Sequence, residues 1–175
     1  MAIDVVAALG DDALKNLWDL IIPPFPGVID PVSLPFRVQN LTIPKSGNTP
    51  YEVHYKTQKM TKPSGKVEAE NQFTFEFRVD KYWLLYKGLR NWKNTVMDTR
   101  YGTMTPDIGI GSAGSIRVPI TAMAVDSNGV PTGMLWIFEG SFCQDIGDVA
   151  LDYTTGDAIT VTVTMGFMAM NDETV

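Results

Sequence analysis

Residues 66–79 alternate strictly between two kinds of side chain. Lys66, Glu68, Glu70, Gln72, Thr74, Glu76 and Arg78 are polar, while Val67, Ala69, Asn71, Phe73, Phe75, Phe77 and Val79 are apolar except for Asn71. A period of two over this span is that of a strand with one solvated and one buried face. It predicts a strand longer than the five or six residues usual in a globular sheet. Its parity is set by burial, because exposing a phenylalanine forfeits about 1.5–3 kcal/mol.

The neighbouring segments extend the β pattern. Residues 36–44 and 51–60 read as strands, with a turn at Lys62-Pro63-Ser64-Gly65 leading into the long one. Further strands are expected at 115–126, 133–144 and 158–169, the first two joined by a tight turn at Asp126-Ser127-Asn128-Gly129. In the last strand Ile159, Val161, Val163, Met165 and Phe167 face one way and Thr160, Thr162 and Thr164 the other. Asp80 is placed to cap a helix over 81–97, where Trp83 or Leu84, Tyr86 or Lys87, Leu89, Trp92 and Val96 recur at helical spacing. A shorter helix is expected from Asp11-Asp12 through Leu14, Leu17, Trp18 and Ile21, stopped by Pro23-Pro24 and followed by a proline-rich extended arm to Pro35. Residues 98–114 read as a loop. The expected fold is mainly β (α+β): six antiparallel strands closing as a sandwich or small barrel with one main flanking helix over 36–175, preceded by the helix and arm of 1–35.

Composition supports a packed chain: 175 residues, 45% of them hydrophobic. A net charge of -6 argues against a grip on nucleic-acid phosphates, which calls for clustered Lys and Arg. Cys143 is the only cysteine, so no intrachain disulfide and no cysteine-based metal site is expected. No basic stretch precedes an apolar run at the N-terminus, so no secretory signal is expected, and the run 17–25 is too short and too broken by Asp19, Pro23 and Pro24 to span a membrane.

No residue constellation suggests catalysis. His54, the sole histidine, sits on a polar strand face beside Glu52 and Lys56 without metal or triad partners at suitable spacing. Cys143 lies between Phe142 and Gln144 in a strand, far in sequence from any base, and reads as a structural thiol. The glycines of 109–114 (GIGSAG) lead into a strand rather than a helix, unlike a phosphate-cradling loop. Glu68, Glu70 and Glu76, interspersed with Lys66 and Arg78, read as a solvated face rather than an acid–base or metal pair, and Met134, Met165, Met168 and Met170 as adaptable packing. No cofactor or metal is expected, and the chain reads as a non-enzyme.

Two stretches resemble the tail tube proteins of contractile-tailed bacteriophages. One is Tyr51–Asn94: a strand pair, then Asp80, then a helix rich in Trp and Lys. The other is Leu135–Met170, where Glu139-Gly140-Ser141-Phe142 leads into Ile146-Gly147-Asp148-Val149-Ala150-Leu151-Asp152-Tyr153 and a final alternating strand. The resemblance implies a structural subunit forming a hexameric ring, stacked into a hollow tube that conducts viral DNA into the host. It implies as partners a tail sheath protein, a tape-measure protein, baseplate and tail-terminator proteins, and transient contact with DNA, with no membrane. The implied location is the virion, after synthesis in the bacterial host cytoplasm. The tube protein of type VI secretion or of another contractile injection system is similar to it and stands as the alternative, with a small-ligand-binding β-barrel as a third reading. Under the first reading Lys66, Glu68, Glu70, Gln72, Thr74 and Glu76 are expected to line the channel, the wall is expected to be acidic, and the arm and the 102–114 loop are expected to contact neighbouring subunits.

Overall fold

The computed structural model describes residues 17–23, 37–98, 100–104, 116–152 and 156–173, apart from the side chains of residues 46, 48 and 64–69. Along the chain run β1 (Trp18–Ile21), β2 (Val38–Thr42), β3 (Ser46–Tyr55), β4 (Gln58–Ala69), β5 (Gln72–Arg78), α1 (Leu84–Val96), β6 (Met97–Asp98), β7 (Thr103–Met104), β8 (Val118–Val125), β9 (Pro131–Ile146), β10 (Thr160–Gly166) and β11 (Ala169–Glu173). Seven of the strands form one antiparallel sheet in the order β1-β8-β9-β10-β5-β2, with β11 added on β9. The architecture is thus mainly β with one main helix, as expected.

The sheet folds over one core because β9 serves two layers. Its first part pairs with β8 and β11, and its last residues, Phe142 to Ile146, pair with β10. Between them Gly140 takes a φ of 63°, a backbone state that an L side chain resists. The buried Ser141 hydroxyl is satisfied by donating to the Phe138 carbonyl (2.9 Å). The inner faces meet where Phe138 of β9 stacks on Phe73 of β5 with ring centroids 4.2 Å apart. Phe73, Phe75 and Phe77 are all buried, as are Val161, Val163, Met165 and Phe167, so the period-two reading of both segments holds.

Closure does not hold: the sheet is open. The β3–β4 hairpin leaves it as a separate two-stranded ribbon, and among the described residues β1, β2 and β11 remain as edges. Three local readings are also corrected. The hairpin turn falls at Lys56-Thr57, inside the strand expected over 51–60, while Lys62–Gly65 is mid-strand in β4. The long strand 66–79 is two strands, broken at Glu70-Asn71, the one place where the apolar alternation fails. Trp18–Ile21 is a strand on β8, not the end of a helix, and it carries Leu20 into the core with Ile22 beside it. Of the loop expected over 98–114, Asp98 and Thr103–Met104 belong to the short β6–β7 pair, while residues 105–114, the expected helix at 11–16 and most of the arm at 24–35 lie outside the described residues. The last strand ends at Gly166, and after a bend at Phe167-Met168 the chain returns as β11 against β9.

Helix α1 begins later than its periodicity suggested, at Leu84, after Trp83 adopts a left-handed backbone (φ 59°). Asp80 still caps it: its carboxylate accepts from the backbone N–H of Tyr82, Leu84 and Leu85 at 3.1–3.4 Å. Leu85, Gly88, Leu89 and Trp92 form the buried stripe, and the Trp92 indole N–H donates to the Ile116 carbonyl at 2.9 Å. The Asp126–Gly129 turn between β8 and β9 is as expected, with Asp126 accepting from the N–H of Asn128 and Val130.

Candidate assembly surfaces

The second layer of the sheet is a slab with one dry and one wet face. Across β10, β5 and β2 the wet face is built in rows. Thr164, Thr74 and Thr42 align in one row, and Thr162, Glu76 and Asn40 in the next. Thr160 lies opposite Arg78, and Gly166 opposite Gln72. The Thr162 hydroxyl donates to Glu76 Oε1 (3.3 Å), and the Gln39 amide oxygen, turned toward Arg78, accepts from its Nη2 (2.7 Å) and Nε (3.2 Å). One carboxylate and one guanidinium therefore stand among uncharged hydroxyls and amides on these strands.

The six residues expected on one wall do not share one element. Gln72, Thr74 and Glu76 are on β5, with Gln72 exposed and Thr74 and Glu76 half-buried. Glu70 lies in the exposed link before it, and Lys66 and Glu68 belong to β4 in the hairpin. The one trace of this in the alternation is Asn71, the polar residue in its apolar set, which falls at the junction of the hairpin and β5.

Two features of this layer invite further chains. Among the described residues, β2 and the 142–146 end of β9 are each paired on one side only, leaving a free edge at both ends of the slab. Among the described residues the β3–β4 hairpin pairs only within itself, and it carries Tyr51, Tyr55 and Met60 exposed, with Lys59 bridged to Glu52 (2.6 Å) and Lys56 over the Tyr55 ring. A lone two-stranded ribbon is marginal in water, so its apolar side chains call for a partner surface.

The candidate chemical groups stand apart. His54 is exposed on β3 and faces Lys59 across the ribbon. Cys143 is buried, and desolvation pushes its thiol up to about 12 despite the opposing charge of Lys93, so almost no thiolate exists at neutral pH. Of the four methionines read as packing, Met165 is buried and Met134 and Met168 are exposed. Among the described residues no group of three or more His, Cys, Asp or Glu could hold a metal ion, and no helix is long and apolar enough to cross a membrane.

Neither a protein-family model nor a curated protein matches the chain by sequence. Solved structures do match its fold over nearly the whole length. A chain of the anti-feeding prophage cap (AFP tube terminating cap) superposes with a TM-score of 0.66 at 10% identity, covering 95% of this chain and 93% of that one. A chain of an extracellular contractile injection system, the PVC sheath-tube complex in its extended state, gives 0.65 at 13% identity over 98% and 97%. A type six secretion system protein gives 0.53 at 8% identity over 89% and 81%. The chain shares the fold of these three chains.

Proposed function

We propose that this chain is the structural subunit of a tail tube in a contractile injection machine. Six copies join head to tail in a ring, rings stack into a hollow tube, and the subunit itself does no catalysis. The observation that carries this reading is the slab β9–β10–β5–β2, wet on one face, dry on the other and unpaired at both edges. Such a slab is a wall segment: lateral pairing of β2 with the 142–146 edge of the next copy satisfies both edges and extends the wet face around a channel. Gln72, Thr74 and Glu76, with Thr160, Thr162 and Thr164 opposite, then line that channel. The hairpin, which has no use within its own domain, reaches a neighbouring ring. A sheath outside, a terminator and a baseplate at the ends, and a tape-measure protein during assembly complete the set of partners.

In the finer reading the machine is a phage tail and the passenger is viral DNA. A tube of an injection system that carries no genome is the second reading, supported by the end-to-end likeness to the AFP and PVC chains. Negative-stain microscopy of the purified full chain tests the common core of both. Six-fold rings or hollow tubes are expected; a monodisperse 19.3 kDa monomer at every concentration and salt tried, even with preformed tube ends added, would overturn it.

A further inference from the structure

The charges of this acidic chain are unevenly placed. Residues 81–100 hold Lys81, Lys87, Arg90, Lys93 and Arg100 against Asp98 alone, in a molecule of net charge -6. Helix α1 contains no acidic residue, and Lys87, Arg90 and Lys93 follow one another at a spacing of three, where like charges repel. A free surface helix ordinarily relieves this with Glu or Asp four residues away; here those positions from Lys87 and Arg90 are Asn91 and Asn94. Lys93 is answered by Asp145 of β9 at 2.9 Å. Lys81, Lys87, Arg90 and Arg100 have no ion pair among the described residues and are exposed. Their neighbours in sequence are of the kind enriched in interfaces: Tyr82 and Tyr101 are 67% and 73% exposed, and Met97 and Met104, paired across β6–β7, are exposed as well. Arg90, Asn94, Asp98, Arg100 and Tyr101 line a cleft of about 360 Å³. Asp98 is engaged in its own turn, its carboxylate accepting from the Arg100 N–H at 2.8 Å.

We infer that the exposed side of α1 together with the β6–β7 turn is a cationic docking surface for an acidic segment of a partner protein, with Arg90 and Arg100 as the paired anchors. Two guanidinium groups lining one cleft suit carboxylates, which they can bind through two parallel bonds. For where the partner stands, the inference rests on the tube reading. The buried stripe of α1 enters the same core as Phe73, Phe75 and Phe77, so the helix lies on the side of the slab opposite the wet face and outside the ring. The partner is then the protein that encloses the tube, and the patch predicts that it presents an acidic inner surface.

A labelled polyglutamate peptide of about 20 residues is the probe, read by fluorescence anisotropy with the full chain in about 50 mM salt. The chain as a whole has the same sign as the peptide, so only a local patch can bind it. Binding is expected, weakening at least about tenfold in K87E/R90E/R100E and retained in K87R and in the hairpin variant K56E/K59E/K62E. No binding by the wild-type chain, or equal loss in the hairpin variant, overturns the inference. Duplex DNA of similar charge binding more tightly than the peptide and losing affinity in the same α1 variant overturns it in favour of a nucleic-acid surface. The tube reading is scored separately: K87E/R90E/R100E is expected to form bare rings and tubes by microscopy, so a failure of peptide binding with intact tubes counts against the docking surface alone.

Discussion

Asp80 holds the start of α1 through three backbone N–H groups although the helix proper begins four residues later. Asp80→Ala is expected to lower stability by about 1 kcal/mol, and Asp80→Asn by less, in urea denaturation followed by circular dichroism. Partial desolvation raises the Asp80 pKa, but hydrogen bonds from Leu84, Leu85 and Tyr82 outweigh it and leave the carboxyl below its ordinary 3.8. A depressed folded-state value means that the contribution is complete above the unfolded-state pKa and is lost as pH falls through the folded one. The gap between wild type and Asp80→Ala should therefore narrow in acid, starting near pH 4. Gly166 is constrained differently. A Cβ there would stand 2.7 Å from the Phe142 ring, which also carries the Arg117 guanidinium 5.4 Å from its centroid. Gly166→Ala is expected to cost about 1–3 kcal/mol, and the double variant with Phe142→Ala to show a coupling that recovers part of it. Asp80 was legible as a cap from its place before an amphipathic run. Gly166 was not, since the residue that crowds it arrives from another strand.

Among the elements, the strands that bury a row of phenylalanines or valines were read correctly, and the largely exposed ribbon and the short first strand were not. Phe73, Phe75 and Phe77, like Val161, Val163 and Met165, leave one parity available, and the structure adopts it. In β3–β4 the described side chains are mostly exposed, so no buried parity marks the register, and Pro63-Ser64-Gly65 looked like the turn. The chain instead turns at Lys56, held at φ 53° without glycine or asparagine to signal it. The first strand was misread because Leu17, Trp18 and Ile21 fit helical spacing, while the pair that decides, Leu20 and Ile22, differs by two and is 0% and 1% exposed. Two outcomes follow. Leu20→Ala is expected to destabilise the monomer by about 2–5 kcal/mol, so deletion through this strand should unfold the chain rather than free an arm. Replacing residues 51–62 by Asn-Gly, between the paired Pro50 and Pro63, should leave the melting temperature within a few degrees of wild type yet abolish tube growth, as read by sedimentation.

At the scale of the whole molecule, an acidic total is not spread evenly over the surface. The charges gather on the hairpin, on α1 and in the β9–β10 link, whereas β10, β5 and β2 offer mostly threonine, asparagine and glutamine to solvent. A surface of this kind has little electrostatic hold on a polyanion. On the proposed orientation, Thr74→Lys with Thr162→Lys and Thr164→Lys should still assemble but retain duplex DNA. The retention should be strong at low salt and fall steeply as salt rises, in a co-sedimentation assay where wild-type tubes retain none. The sheet order carries a consequence for biosynthesis. β10 lies at the centre of the slab, between β9 and β5, yet it is made after both: Phe75 must wait for Val163, as Leu20 must wait for Ala122. Pairings so distant along the chain make folding slow and leave the early strands without their partners while the ribosome is at work. Until β10 emerges there is no slab, and so no wall segment for another copy to extend. On the proposed function, the late strand acts as a timer, holding polymerisation back until the central strand of the slab is in place.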